Sequence, residues 1–303
     1  MAQAKDVFDK IAATIAGKLE MGVRPWAKPW TSQGGALAMP HNIEGRAYRG
    51  ANVFWLWMEQ EARGYEHPVW LTFNQAKVRG GSIRKGEKST PVFFWSRTKR
   101  KDKATGEEKA SFFAKGYNVF NIAQCEGIEM PQVEAPAARP EKDRIAAADA
   151  LMTATGADIR YGGNRAFYAP TMDRIQLPAF EDFVSVDGFY STAFHELGHW
   201  TGAEHRLKRT FGRAFGDEAY AFEELVAELT AAFVCASQGF ASVERPDHAD
   251  YIGAWIKRIR SNPEAFIQAC SKAQAAAEFI LKAQADQAEQ EPQGEALALA
   301  MAA

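Results

Sequence analysis

Cysteine is scarce in this sequence and badly placed for cross-linking. Its 303 residues hold three, Cys125, Cys235 and Cys270, an odd number with no two at metal-ligand spacing. That pattern excludes a disulfide framework and a cysteine-based zinc cluster, and it fits a reducing cytosol. Long apolar runs are missing as well. No stretch approaches the ~20 residues that a membrane span needs. The opening segment, MAQAKDVFDKIAATIAGKLE, alternates charges with apolar residues and lacks a secretory core, so it is expected to be a helix of the mature protein. No internal repeat is visible.

What is present is the composition of a globular protein: 47% hydrophobic and 24% charged residues. The length suits two domains. The net charge of −2 conceals an asymmetry. Residues 1–130 carry 20 Lys and Arg against 13 Asp and Glu, whereas residues 131–303 carry 16 against 25. A basic half beside an acidic half implies two modules with different partners, the first suited to nucleic acid.

Apolar periodicity organises the chain. Val7, Ile11, Ile15 and Leu19 recur every four residues and predict a helix over 3–20. Residues 51–63 read as a second helix ended by Gly64, 67–73 as a strand, and 74–78 as a short helix. The β-rich stretches 91–97 and 111–120 flank the charged loop RKDKATGEEK as a long hairpin. Residues 131–140, PQVEAPAARP, contain three prolines and no aromatic, the composition of a linker. Beyond it, 142–155 reads as helical, with short strands at 158–161, 165–168 and 173–177. Four helices follow, at 191–202, 219–237, 251–260 and 264–282. Residues 283–303 read as a frayed or disordered tail.

His195-Glu196-Leu197-Gly198-His199 is an H-E-x-x-H sequence. Residues four apart lie on one face of a helix, so both imidazoles can bind one Zn²⁺, or Mn²⁺ or another divalent ion. Such an ion makes water nucleophilic near neutral pH, and Glu196 is placed to take the proton. Ser191 and Thr192 can cap the start of that helix. A catalytic site needs a third protein ligand. The helix at 219–237 offers Glu224 and Glu228, four apart on the edge of the stripe Phe222, Leu225, Val226, Leu229, Ala232 and Phe233. We assign Glu224 as ligand and Glu228 as the group that orients an imidazole; the two roles can be exchanged, and a solvated acidic face is the bland alternative. Glu223 points elsewhere on the helical wheel and is set aside. His205 follows His199 by six residues, which does not fit the metzincin spacing.

The first half is basic and aromatic. Residues 77–115 carry 12 Lys and Arg against four acids, interleaved with Phe93, Phe94, Trp95, Phe112 and Phe113, with Tyr117 just beyond. Single strands are bound by a basic groove with aromatic platforms for the bases, whereas duplex readers need a basic recognition helix, which is not seen. Arg46, Arg49, Arg84, Lys85 and Lys88, near turns, are the phosphate candidates, and Trp95 a stacking candidate. Trp26 and Trp30 flank Lys28 in a loop that looks exposed; they either stack on bases or anchor the domain.

FYSTAFHELGHWTGAEHRLKR followed by YAFEELVAEL resembles the zincin-like domain of ArdC-type antirestriction proteins. GVRPWAKPW, NIEGRAYRGAN, WLTFNQAKVRGGSIRKGEKS and the VFFW stretch resemble the family's single-stranded-DNA-binding domain, shared with TraC-type plasmid primases. The resemblance covers roughly residues 5–240. It implies a plasmid- or phage-borne protein that binds single-stranded DNA and protects incoming DNA from restriction, and it favours Glu224 as ligand. The expected fold is α+β in two domains: an α+β single-strand-binding domain at 1–130 and a zincin-like metallopeptidase domain at 141–282. The expected function is DNA-associated metallopeptidase chemistry on an unidentified protein substrate, without a membrane. Two rivals use the same parts: a non-catalytic DNA-coating protein with a structural metal, and a protease for DNA–protein crosslinks.

Overall fold

The computed structural model describes residues 2–26, 38–101, 108–129, 144–211, 218–239, 242–243 and 249–301; among them, the side chains of 2–4, 95–101, 108–114, 249–250 and 287–301 are outside the description. Residues 131–140, where the linker is expected, and Trp30 fall outside the described residues. The chain divides into two compact units. One comprises Met1–Pro25, Met39–Glu134 and Arg258–Ile267; the other comprises Trp26–Ala38, Ala135–Lys257 and Gln268–Ala303. The division expected from sequence, contiguous on either side of 131–140, therefore differs at two short segments.

In the first unit, α1 (Ala2–Glu20) precedes β1 (His41–Asn42), α2 (Ala51–Arg63), β2 (Val69–Leu71) and α3 (Phe73–Val78). Then come β3 (Ser82–Ile83), β4 (Thr90–Lys101), β5 (Glu108–Asn121) and β6 (Cys125–Glu126). Four strands form a sheet in the order β1-β2-β5-β4, and β3 pairs with β6. Gly64 ends α2 in the left-handed conformation at φ 65°, which a residue without Cβ adopts at no steric cost. Thr72 and Gln75 close a capping box at the start of α3. The periodic residues Ile11, Ile15 and Leu19 are buried, and so are Leu56, Trp70, Val92 and Val119, which form one core cluster. Full burial of each such side chain contributes about 1.5–3 kcal/mol. Arg260 pairs with Glu20 at 2.8 Å and Phe266 meets Phe54 edge-on, so Arg258–Ile267 is part of this core.

The second unit begins, after Trp26, with α4 (Ala146–Ala154), β7 (Asp158–Tyr161), β8 (Phe167–Ala169) and β9 (Arg174–Leu177). The strands form a sheet in the order β7-β9-β8, with β7 parallel and β8 antiparallel to β9. Helices α5 (Val186–Trp200) and α6 (Glu218–Gln238) follow, then α7 (Ala249–Ser261) and α8 (Glu264–Met301), of which Arg258–Ile267 belongs to the first unit. Helix α5 starts five residues before the expected Ser191. Ser185 caps it, accepting a hydrogen bond from the Gly188 amide at 3.0 Å, while Ser191 and Thr192 are buried inside the helix. Helix α8 runs to Met301 where a disordered tail is expected; the Ala, Gln and Glu that dominate this segment are strong helix formers. No described helix is long and apolar enough to cross a membrane.

Candidate metal centre

Two buried helices build the centre. Helix α6 has no solvated face between Glu223 and Ala236: every residue there is buried. Glu223, Glu224 and Glu228 are 3%, 6% and 3% exposed, which rules out the bland acidic surface. Carboxylates buried this deeply require partners. Helix α5 supplies them. His195 and His199 are buried, and their Nε2 atoms lie 3.0 Å apart, as i,i+4 spacing dictates. Glu224 Oε2 lies 3.4 Å from His195 Nε2, and Oε1 lies 3.5 Å from His199 Nε2. The helices approach closely because residue 198 is glycine. A Cβ there would sit 3.2 Å from Ala227 Cα and 3.3 Å from Thr230 Cβ.

These spacings fit a divalent ion. Tetrahedral zinc with bonds of about 2.0–2.1 Å holds its donors about 3.3–3.4 Å apart. Among the described residues, His195, His199 and Glu224 are the group able to hold an ion in this way. Two imidazoles and one carboxylate are also the donor set of catalytic zinc sites, which keep a position for water or substrate; structural sites use four protein donors. Glu196, beside His195 in sequence, is 3% exposed.

The electrostatics favour a cation here. Burial pushes the His199 imidazole down, but the Glu224, Glu223 and Glu196 carboxylates outweigh it and raise the group to about 10. Burial likewise pushes Glu224 up, and the two imidazoles more than reverse this, holding the carboxyl far below its usual range. A proton on His199 thus balances charge that a metal ion would otherwise balance.

The supporting residues differ from the expectation. Glu223, set aside on the wheel, reaches the centre: its Oε1 lies 3.5 Å from His199 Nδ1. Arg209 clamps it through Nε at 3.0 Å and Nη2 at 2.7 Å. The same guanidinium donates to the Gly198 carbonyl at 2.6 Å and to Thr201 Oγ1 at 2.8 Å, tying Glu223 to the end of the motif helix. Burial pushes Glu223 up, but its bonds to His199 and Arg209 prevail and keep it lowered. Glu228, expected to orient an imidazole, accepts a hydrogen bond from the Trp26 indole at 3.1 Å. Trp26 is therefore not an exposed stacking residue; it is 1% exposed and meets Trp255 edge-on. Tyr220 lies one turn before Glu224 on α6, and burial and the Glu224 carboxylate raise its phenol. An aromatic hydroxyl at i−4 from a ligand was the available sequence signal. His205 is exposed and lies 3.3 Å from Asp173.

In the first unit, the phosphate candidates Arg46, Arg49, Arg84, Lys85 and Lys88 are all exposed. Arg84 pairs with Glu87 at 2.8 Å, and Arg46 stands over the Phe94 ring at 5.4 Å. Trp95 lies on β4, with its side chain outside the described residues.

Both halves match known families. Residues 146–272 match a zincin-like metallopeptidase family, and residues 5–120 match the N-terminal domain of the anti-restriction factor ArdC. A protein of Sinorhizobium fredii (strain NBRC 101917 / NGR234), y4eC, is 36% identical over 299 residues, 96% of each chain. DNA primase TraC of Escherichia coli is 34% identical over 306 residues; the match takes in 93% of this chain but 28% of the primase. The chain thus spans under a third of that relative. The crystal structure of the antirestriction ArdC protein from plasmid R388, metal-free, shares 37% identity and superposes with a TM-score of 0.79 over 93% of this chain and 98% of that one. Its Mn(II)-bound form gives 35% identity and a TM-score of 0.78, over 92% and 98%. A centre with three convergent donors, both domain matches and full-length relatives lead to one assignment: the chain belongs to the ArdC family of antirestriction proteins, with an ArdC N-terminal domain and a zincin-like metallopeptidase domain.

Proposed function

We propose that this protein binds single-stranded DNA through its basic N-terminal domain, carries a metal-dependent peptidase centre, and so protects incoming plasmid DNA from restriction. The observation that carries the peptidase assignment is the convergence of His195, His199 and Glu224 at 3.0–3.5 Å on two buried helices. These three residues hold the ion, Zn²⁺ or Mn²⁺. When bound, the ion supplies Lewis acidity, polarising a carbonyl and activating water. Glu196 takes the proton from the attacking water and passes it to the leaving amine. Glu223 Oε1, 3.5 Å from His199 Nδ1, favours the ring orientation with Nε2 towards the donors, and Arg209 fixes Glu223 in turn. Three protein donors favour this catalytic reading over a DNA-coating protein with a structural metal.

Glu196→Gln and the pair Arg84→Ala with Lys85→Ala separate the two chemistries. Glu196→Gln is expected to keep metal and DNA binding while cleavage of a peptide library, read by mass spectrometry, falls by about 10²–10⁴. The basic-patch variant is expected to do the reverse. Restriction protection lost in both variants supports proteolysis directed by DNA; protection lost only in the basic-patch variant supports coating alone. Unchanged DNA binding in the basic-patch variant contradicts the placement of the phosphate contacts.

A further inference from the structure

Residues directly opposite in an antiparallel pair project to the same side of the sheet, as do residues i and i+2 of one strand. Phe94 lies opposite Lys115, and Val92 opposite Tyr117. These four therefore share one face of the β4–β5 hairpin. At the base of that face, Val92 is buried with Leu56, Trp70 and Val119. Beside and beyond it the face meets solvent: Tyr117, in the same rung as Val92, is 42% exposed, and Phe94, in the next rung out, is 50% exposed. The two are diagonal neighbours on the ladder, a spacing of about 7–8 Å. A cation stands over each ring: Arg46 5.4 Å from the Phe94 centroid, and Lys115 5.1 Å from that of Tyr117.

The strand beneath Phe94 is pinned from behind. Phe93, on the opposite face, packs edge-on against Phe8 with centroids 4.5 Å apart. The buried Asn52 side chain donates to the Phe93 carbonyl at 2.6 Å and accepts from the Phe93 amide at 3.1 Å. Because β4 is the edge of its sheet, Asn52 stands where another strand would pair. Phe94 is thus presented on backbone that is ordered before any ligand arrives, which lowers the cost of binding.

We propose that Phe94 and Tyr117 are a stacking platform for two neighbouring bases of a single DNA strand, with Arg46 and Lys115 meeting the flanking phosphates. This rests on the assignment of the domain as single-strand-binding and names where the bases sit. Every base offers a π-face, so such a platform tolerates any sequence; a duplex keeps those faces stacked inside, so the platform selects single strands. Charge complementarity supports this occupant, since residues 77–115 carry 12 Lys and Arg against four acids.

The test uses the full-length protein and two labelled strands of equal length, oligo(dT) and an abasic phosphodiester, with affinity read by fluorescence anisotropy. The intact protein is expected to bind oligo(dT) more tightly than the abasic strand. Phe94→Leu and Tyr117→Leu keep apolar bulk without a π-face. Each is expected to weaken oligo(dT) binding about 5- to 100-fold and leave the abasic strand unaffected. Tyr117→Phe is expected to behave as the intact protein. Arg46→Ala is expected to weaken both strands and to lower the salt slope by about 0.7. If the intact protein binds neither strand, the DNA-binding assignment fails and the platform falls with it. If it binds oligo(dT) and the folded leucine variants bind equally well, or lose both strands alike, the platform is overturned while the assignment stands.

Discussion

Arg209 and Glu223 form a buried ion pair at 2.7 Å, and through it the loop after α5 fixes the carboxylate that meets His199 Nδ1. The guanidinium has bound both carboxylate oxygens and still donates to the Gly198 carbonyl. Removing one partner leaves an uncompensated buried charge, which costs about 3–5 kcal/mol. Arg209→Ala is expected to lower stability by that amount in denaturant titration and to weaken metal binding about 10- to 100-fold. Arg209→Met combined with Glu223→Leu is expected to recover stability without recovering metal affinity. Full recovery of both would show that the pair serves only the fold.

Glu224 and Glu228 are one turn apart on α6 but have different partners. Glu224→Ala is expected to abolish stoichiometric metal, measured by elemental analysis of dialysed protein. Glu228→Gln is expected to retain it. Equal loss in both variants would remove the assignment of Glu224 as third donor.

Gly198 sets the closeness of α5 and α6. In Gly198→Ala the new methyl meets Ala227 Cα, Ala227 O and the Thr230 Cβ, none of them the end of a flexible side chain. Overpacking costs about 1–3 kcal/mol, while replacing a helical glycine returns up to about 1 kcal/mol. Stability is therefore expected to fall by about 0–3 kcal/mol. Metal affinity is expected to fall clearly, because the donors sit on both helices. Calorimetric titration showing unchanged affinity would contradict this geometry.

The metal-free protein has a defined pH response. His199 is raised from about 6.5 unfolded to about 10 folded. Its contribution to stability is fully present below about 6.5 and is lost as pH rises towards 10. Glu224 is lowered, so its contribution is present above the unfolded carboxylate value and is lost as pH falls below it. In chelator, the melting temperature is expected to decline from pH 7 to pH 10, and metal binding near pH 7 to release about one proton, seen as buffer-dependent heat. A flat melting temperature across that range would contradict the raised imidazole.

The parts written in local periodicity were legible in the sequence. The i,i+4 histidines fix their own geometry, and the helix at 51–63 ends where Gly64 adopts a left-handed turn. Glu224 was reachable because a carboxylate on so apolar a helix requires a partner. Glu223 was not, because a helical wheel assumes one dry face and one wet face, whereas α6 is buried all round. Arg209 sits in a non-periodic loop, so nothing local marks its burial. For Trp26 the sequence leaves base stacking and anchoring open for a similar reason: its proline-flanked segment looks exposed, but its indole reaches Glu228, some two hundred positions away in sequence. Register placed Phe94 and Tyr117 on one face, and that required knowing which residues of β4 and β5 oppose each other.

The central claim is that His195, His199 and Glu224 together hold one divalent ion. A crystal of the protein soaked in Zn²⁺, with diffraction collected on both sides of the zinc absorption edge, tests it directly. The expected result is a single strong anomalous peak about 2.0–2.2 Å from His195 Nε2, His199 Nε2 and a Glu224 oxygen, with Glu223 retained on His199 Nδ1 and no fourth protein donor. A peak elsewhere, or one ligated by Glu228 in place of Glu224, would contradict it.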